Sequence, residues 1–311
     1  MHFFHQPVLL REVVASLGCR GGGVYIDGTV GGAGHAFEIL KETSPDGFLI
    51  GIDADVEALH AAEERLHPFR SRVKLVQGNF ADIGDILTNL NIDRVDGIFL
   101  DLGVSSHQLD VASRGFSFAK EALLDMRMDV SRKNSAHKLV NTCPEPQLAR
   151  IIREYGEEPR AGKIARSIVA ARLQKEIVST TELASIIAAA LPRSSAGRRL
   201  HPATRTFQAL RIAVNEELVS LDRILRSGIE LLNVGGRFSV ISYHSLEDRM
   251  VKTAFRGYES ACSCPPDLPV CNCRREPRGR IVNRRPITPS TTEIAANPRS
   301  RSAKLRTAER I

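Results

Sequence analysis

The chain has 311 residues, of which 42% are hydrophobic and 25% charged, a composition typical of a folded globular protein. Its length predicts one or two domains. No apolar run approaches the roughly 18 residues that a membrane-spanning helix needs, and no basic start with a following apolar stretch and cleavage site opens the chain. We therefore expect a cytoplasmic protein without a membrane segment.

The net charge of +7 is concentrated near the C-terminus. Residues 274–311 contain eleven Lys or Arg and three Glu, which gives +8 and leaves −1 for the rest of the chain. A second group of cations consists of Arg193, Arg198, Arg199, Arg205 and Arg211. Because phosphate contacts dominate nucleic-acid affinity, both groups favour a polyanionic partner, and a basic tail kept for solubility is the alternative. Since residues beyond Asn283 are rich in Pro, Ser, Thr and Arg, we expect them to be extended and ordered by a partner.

An apolar strand at residues 24–27 runs into the glycine-rich segment DGTVGGAGH. Glycines in such a turn let the backbone approach a ligand where a side chain would clash, and a tight loop without a ligand is the alternative. The glycines are Gly28, Gly31, Gly32 and Gly34. The next predicted strand, 48–53, ends in Asp53, 19 residues after Gly34, where an acid can accept hydrogen bonds from two ribose hydroxyls.

NAD and S-adenosylmethionine both fit this pattern, and one position separates them. A dinucleotide fingerprint has a third glycine for close helix packing, and Phe37 stands there instead. S-adenosylmethionine carries no phosphate and needs acceptors for its hydroxyls and ammonium group. Acceptors follow successive strands at Asp27, Asp53, Asp55, Asp82 and Asp101. The sequence therefore favours S-adenosylmethionine.

Strands and helices alternate through the first hundred residues, which predicts an α/β fold with a mostly parallel sheet and helices on both faces. We predict strands at 24–27, 48–53, 73–78 and 97–101, and helices near 33–42, 56–67 and 83–90. Residues 107–202 show helical periodicity and no strand, which indicates an inserted all-helical domain. A helical stretch over 203–232, ending at Gly235 and Gly236, and a strand in RFSVISYHS then complete the first domain, so its predicted parts are 1–106 and 203–311.

Four of the six cysteines lie close together, as Cys262, Cys264, Cys271 and Cys273. Four thiolates can surround one zinc ion, but the C-x-C spacing differs from the usual C-x-x-C arrangement. Reduced thiols in a proline-rich loop are the alternative. We expect no metal in the chemistry of this protein.

Nine segments, in this order, closely resemble the ribosomal RNA small-subunit methyltransferase H family: DGTVGGAGH, GIDAD, GNFAD, DLGVSSHQLD, RGFSF, MRMD, HPATRTFQALRIAVNEEL, SYHSLEDRMVK and NPRSRSAKLR. The resemblance covers nearly the whole chain. It implies a class I, Rossmann-like methyltransferase domain and an inserted helical domain that recognises the substrate. It also implies methyl transfer from S-adenosylmethionine to the exocyclic N4 of a cytidine in 16S rRNA, within the small ribosomal subunit. Whether the chain forms a homodimer is left open.

The same resemblance implies a cofactor site. Its predicted members are Ala33, Gly34 and His35 at the methionine end, Asp53 on the ribose, Phe80 against the adenine, and Asp101 and Gln108 on the far side. Two positions depart from the family pattern: Ala33 stands where glycine is common, and His107 where proline is common. Neither departure removes a polar group, so both bear on the stiffness of their loops.

The amine of cytosine is a poor nucleophile because its lone pair is delocalised into the ring, so an enzyme must align it and accept its hydrogen bonds. We expect Asp101 and the 102–106 loop to do this, and binding of the cofactor alone is the alternative role for Asp101. Tyr243 and His244 are expected to contact an unstacked base. Ser242, His244 and Asp248 suggest a hydrolase triad only superficially, since capping of the helix at Leu246 explains the segment equally well.

Two other functions stay open from the sequence. One is methylation of an amine in another nucleic acid, although no DPPY-type motif is present. The other is a noncatalytic RNA-binding assembly factor that keeps a cofactor fold. A nicotinamide oxidoreductase is disfavoured by Phe37 and by the basic C-terminal segment.

Overall fold

A computed structural model describes residues 7–191, 201–259 and 276–311. The chain divides into two compact units, the first formed by Met1–Gly103 with Leu218–Ile311 and the second by Val104–Glu217. The cysteine cluster at 262–273 and three of the arginines, Arg193, Arg198 and Arg199, lie outside the described residues. Within the described ranges, no helix is both long and apolar enough to cross a membrane.

The first unit begins with alternating helices and strands. These are α1 (Leu10–Leu17), β1 (Val24–Asp27), α2 (Gly34–Glu42), β2 (Phe48–Asp53), α3 (Val56–Leu66), β3 (Val73–Gln77), α4 (Ile83–Asn89) and β4 (Val95–Asp101). The second unit contributes α5 (Ser106–Asp110), α6 (Ala136–Thr142), α7 (Glu145–Gly156), α8 (Ala161–Gln174), α9 (Thr180–Ala190) and α10 (Thr204–Asn215). The first unit ends with α11 (Glu217–Ser227), β5 (Leu232–Ser242), α12 (Ser245–Glu259), β6 (Gly279–Ile281), α13 (Thr291–Ala296) and β7 (Lys304–Arg310).

The seven strands of the first unit form one sheet in the order β3-β2-β1-β4-β5-β7-β6. The pairs from β3 to β5 are parallel, while β7 runs antiparallel to both β5 and β6. This confirms the predicted mostly parallel α/β sheet.

Both faces of the sheet are apolar because successive strand residues point to opposite sides. In β1, Tyr25 joins one buried cluster and Ile26 the other. Residues of α1, α2 and α3 cover the Tyr25 side, and residues of α4, α11 and α12 cover the Ile26 side. Helices on both faces are therefore confirmed.

The second unit is helical. The only β-structure in its described part is an isolated bridge between Leu123 and Ser179. Serine side chains cap α5, α6 and α9: in the last two, the hydroxyl of Ser135 accepts from the Lys138 N–H and that of Ser179 from the Glu182 N–H. Its core includes the inner face of α10, which we expected in the first unit. The boundary falls after α10 because the apolar side chains of that helix, Phe207, Leu210 and Val214, pack with the helices that precede it.

The predicted helical stretch over 203–232 is found as two helices, α10 and α11, and a 3-10 turn at Gly228–Leu231, but β5 then starts before the glycines at 235 and 236. The helical part breaks at Glu216, which has a φ of +54°, and β5 starts at Leu232. The register passes from Val95↔Leu232 to Gly97↔Arg237, so β5 carries extra residues in a bulge. Gly235 lies in this bulge with a φ of +81°, a conformation that glycine adopts without strain.

The C-terminal segment is not an extended tail, which corrects the expectation for residues beyond Asn283. Strand β7 is almost wholly buried between β5 and β6. Part of its charge is neutralised inside the unit, since Arg306 contacts Asp248 at 2.7 Å and Glu309 contacts Arg237 at 3.0 Å. Helix α13 is also tied down, because the Glu293 carboxylate accepts from the Leu9 N–H at 2.8 Å and so caps α1.

Leu305→Ala tests this placement of the C-terminal segment. Leu305 in β7 is fully buried, so the substitution leaves a cavity and should lower the free energy of unfolding by about 2–5 kcal/mol. Urea unfolding measures the change. Arg301→Ala, at an exposed position just before the strand, is the control and should have a small effect. Equal stability of the two variants would contradict the buried strand.

Candidate functional site

Three carboxyl groups lie at one edge of the sheet in the first unit. Asp27, Asp53 and Asp101 are the last residues of β1, β2 and β4. These strands are neighbours and parallel, with Asp27 opposite Gly51 of β2 and Phe99 of β4. Their carboxyl ends therefore meet at the edge where open α/β sheets bind ligands.

The loop between β1 and α2 is held by hydrogen bonds to both neighbouring strands. The Gly28 N–H donates to the Phe99 carbonyl and the Val30 N–H to the Ile52 carbonyl, both at 2.9 Å. The Gly31 N–H donates to Asp53 Oδ2 at 2.9 Å. The loop ends at Ala33 with a φ of +58°, so the alanine at this family glycine position adopts the left-handed conformation.

Two of the loop glycines lie close against side chains of the protein itself. A Cβ on Gly28 would lie 2.5 Å from Leu100 Cδ2, and one on Gly34 would lie 2.3 Å from Pro7 Cγ. Both positions exclude larger residues because the protein itself fills the space.

Asp53 is held by backbone donors on both oxygens. Oδ2 accepts from Gly31 and Oδ1 from the Asp55 N–H, each at 2.9 Å. Burial raises the pKa of Asp53 to about 6, and these N–H groups oppose the rise. Since a carboxylate oxygen accepts about two hydrogen bonds, both oxygens keep acceptor capacity.

Asp101 is joined to Tyr243, so the structure brings these two predicted residues together. The Tyr243 hydroxyl donates to Asp101 Oδ1 at 2.9 Å, and the Asp101 N–H donates to Thr29 Oγ1 at 2.6 Å. Burial raises the pKa of Asp101 to about 7, the tyrosine hydrogen bond lowers it, and the negative charge of Glu247 raises it further. Burial also raises the pKa of Tyr243 well above its usual value, and the charge of Asp101 adds to the rise.

His35 lies on the other side of Asp101. Its Nε2 is 2.9 Å from the Val8 carbonyl oxygen, which only accepts, so this nitrogen carries the proton. Its Nδ1 is 3.9 Å from Asp101 Oδ2, and its ring centroid is 4.6 Å from that of Phe99. The predicted residues His35, Asp101 and Tyr243 thus form one group.

Asp27 is buried, with 1% of its surface exposed. One oxygen accepts from the Thr29 N–H at 3.2 Å. Burial raises its pKa to about 8, and the nearby charges of Asp101 and Asp53 add to the rise. Asp27 is therefore largely protonated at neutral pH, and it is a neutral part of the edge.

His244 serves as the cap of α12. Its Nδ1 accepts from the Glu247 N–H at 3.4 Å, while the Glu247 carboxylate accepts from the N–H groups of Tyr243 at 2.9 Å and His244 at 3.3 Å. Asp248 instead contacts Arg306, and the Ser242 hydroxyl donates to the Lys304 carbonyl. No hydrolase triad is formed, and helix capping accounts for the segment.

The other predicted residues lie in two places. Phe80 starts a short 3-10 turn after β3 and packs, partly buried, against the apolar cluster on the Ile26 side of the sheet. Gln108 belongs to the second unit, where its amide oxygen accepts from the Ser105 N–H at 3.1 Å and its own N–H donates to Ser105 Oγ at 3.2 Å. It completes a capping box on α5, and its role at a cofactor stays a prediction.

Sequence reasoning missed two residues of this site. Thr29 fixes the Asp101 backbone, and no pattern in the sequence distinguishes it from an ordinary loop threonine. Glu247 holds the turn that carries Tyr243, and the usual signal of a capping box is missing, because His244 stands where Ser, Thr, Asp or Asn would precede the Glu by three positions.

The sheet order, the glycine loop and the acidic carboxyl edge define a class I methyltransferase fold. A model of the MraW methylase family matches residues 2–311, and the chain belongs to this family. The family uses S-adenosylmethionine, which confirms the predicted cofactor.

Curated relatives match over almost their full length. Proteins named "Ribosomal RNA small subunit methyltransferase H" are 58% identical in Syntrophus aciditrophicus, over 99% of this chain and 98% of the relative, and 56% identical in Geobacter sulfurreducens, over 100% of both. The relative of that name in Symbiobacterium thermophilum is 53% identical, over 98% of this chain and 96% of its own. Among solved structures, Aeropyrum pernix fibrillarin with bound S-adenosyl-L-methionine matches 99% of this chain and 84% of its own at 8% identity and a TM-score of 0.42, too distant for a functional argument.

The protonated state of Asp27 predicts a pH effect on stability. Because its native pKa of about 8 exceeds the ordinary 3.8, the native state holds a proton that the unfolded state has released between these values, and the free energy of unfolding falls as pH rises through this window. Asp27→Asn removes the titration, so its stability should fall less over the same range in urea unfolding. Asp93→Asn, at an exposed position, should follow the wild-type curve, and an Asp27→Asn curve parallel to wild type would refute the assignment.

Proposed function

We propose that this chain transfers the methyl group of S-adenosylmethionine to the exocyclic N4 of a cytidine in 16S rRNA, within the small ribosomal subunit. The observation that carries the proposal is the full-length match to relatives named as ribosomal RNA small-subunit methyltransferases, at 53–58% identity in the three species described. The choice of N4 of a cytidine follows from the resemblance of the nine sequence segments.

The carboxyl edge has acceptors of the kind that the cofactor requires. Bound there, S-adenosylmethionine supplies an electrophilic methyl group on a positively charged sulfur. Asp53 would hold the ribose, since each of its oxygens keeps acceptor capacity beside one backbone donor. Ala33, Gly34 and His35 would bind the methionine end and Phe80 the adenine. Gln108 would close the far side.

Asp101 is the proposed catalytic residue. Its Oδ1 is held by the Tyr243 hydroxyl, and its pKa of about 7 leaves a substantial ionised fraction at neutral pH. An ionised Oδ2 can accept a hydrogen bond from the amine, which aligns the nitrogen and favours its lone pair as the nucleophile. Asp101 would thus orient the amine and accept the proton that the nitrogen loses as the N–C bond forms and the bond between the methyl carbon and sulfur breaks.

Tyr243 and His244 are the proposed contacts for the target base. Both are anchored, Tyr243 by Asp101 and His244 by the Glu247 backbone, so their rings need little ordering when the base binds. The helical unit, Val104–Glu217, is proposed to recognise the surrounding RNA.

The proposed ribose contact predicts how cofactor affinity depends on Asp53. Hydroxyl donors favour the ionised carboxylate, so affinity should decline as pH falls below about 6, the pKa of Asp53. Asp53→Ala should weaken binding by about 10- to 100-fold at neutral pH, since hydrogen bonds to a charged group contribute about 1.5–3 kcal/mol. Isothermal titration calorimetry measures both effects. Asp93→Ala is the matched control, and wild-type affinity in Asp53→Ala would exclude this contact.

The function is tested by incubating the protein with labelled S-adenosylmethionine and small ribosomal subunits that lack the modification, followed by mass analysis of the nucleosides. We expect N4-methylated cytidine. Asp101→Asn should bind the cofactor and turn over about 100-fold or more slowly, because general-base contacts of this kind contribute about 10²–10⁴.

Each contrary result would change a different part of the proposal. Methylation of another nucleoside would change the target atom but keep the enzyme class. Cofactor binding without transfer to any subunit would favour the assembly-factor function. Full turnover by Asp101→Asn would remove that residue from the chemistry.

A further inference from the structure

Helix α12 carries three exposed cations on one side. Arg249, Lys252 and Arg256 are spaced by three and four residues, so they are neighbours along one side of the helix. The seven residue steps from Arg249 to Arg256 span about 10 Å of helix axis. This is long enough to meet more than one phosphate of a nucleic-acid chain.

Helix α12 lies beside β7 and β6, the last two strands of the sheet in its spatial order. Near the start of the helix, Asp248 contacts Arg306 of β7, and at its end the Glu259 carboxylate accepts from the Ile281 N–H at 2.9 Å. Beyond β6 the chain presents two further exposed arginines, Arg284 and Arg285. We call Arg249, Lys252, Arg256, Arg284 and Arg285 the edge stripe.

Most of the edge stripe has no compensating charge. Lys252, Arg256, Arg284 and Arg285 form no ion pair with any residue in the described parts of the chain. Two acids near the edge stripe are already engaged in ion pairs with other cations. Asp248 binds Lys304 at 3.0 Å and Arg306 at 2.7 Å, and Glu309 binds Arg237 at 3.0 Å and Arg280 at 2.5 Å.

The edge stripe starts close to the candidate site. Helix α12 begins at Ser245, two residues after Tyr243, whose hydroxyl binds Asp101. Arg249 is five residues after His244 and six after Tyr243, about one and a half helical turns from the residues proposed to contact the target base. A chain whose base reached Tyr243 would bring its neighbouring phosphates to this side of α12.

We propose that the edge stripe binds the phosphate backbone of the RNA next to the target nucleotide. The inference rests on the proposed function and adds a binding surface in the sheet unit. Four exposed cations without an ion pair in the described parts of the chain suit a phosphodiester chain, whose affinity comes mainly from such contacts.

The double variant Lys252→Gln/Arg256→Gln tests the edge stripe. Affinity for 16S rRNA in the small subunit is measured by filter binding over a range of salt concentrations. Loss of two phosphate contacts should lower the slope of log affinity against log salt by about 1.5–2 and weaken binding roughly tenfold. The matched control is Arg70→Gln/Lys74→Gln, two exposed cations at the β3 side of the sheet, which should keep the wild-type slope.

A charge-retaining variant, Lys252→Arg/Arg256→Lys, should bind as wild type, which separates charge from packing. If the slope of log affinity against log salt is unchanged in the Gln variant while wild type methylates the subunits, the edge stripe does not bind the RNA backbone, and the proposed function stands. Absence of methyl transfer by wild type itself would overturn the proposed function and the edge stripe with it.

Discussion

Parallel pairing of β2, β1 and β4 brings three carboxyl groups to one edge of the sheet, where burial makes their negative charge costly. The donors around each group decide how much of that cost is offset. Asp53 receives two backbone N–H bonds, Asp101 a tyrosine hydroxyl and Asp27 one longer N–H bond, and the pKa values follow in that order, at about 6, 7 and 8. One sheet edge thus contains a mostly ionised acceptor, a group poised near neutrality and a protonated acid.

The sheet edge that carries Asp27, Asp53 and Asp101 also depends on strand β7, whose sequence is mostly polar. Strand β7 reads KLRTAER, yet Thr307 is fully buried and Glu309 nearly so. Their polar groups are paired: Thr307 shares a hydrogen bond with Ser239 of β5, and Glu309 binds Arg237. Because β7 pairs with residues 237–242 of β5, it supports the half of the strand that leads to Tyr243.

The elements that the sequence predicted correctly are those with a local pattern of apolar and polar residues. Strands β1 and β2 were predicted at their exact bounds because each is a short apolar run that ends in a carboxylate. Strand β7 was missed because its burial depends on partners far away, such as Asp248, and no local signal reveals them. The same limit applied to Thr29, whose contact with the Asp101 backbone is a property of the fold, and to the loop glycines, whose neighbours Leu100 and Pro7 only the structure supplies.

The position of β7 also has a consequence for biosynthesis. Strand β5 has β4 on one side, and its other neighbour, β7, begins only at Lys304, long after β5 ends at Ser242. A nascent chain therefore carries β5 as an open strand edge, with unpaired backbone groups, until β7 has been made. Helix α1 likewise lacks the carboxylate that caps it until Glu293 has been made. The strand that leads to Tyr243 therefore gains both of its neighbours only after β7 has been made.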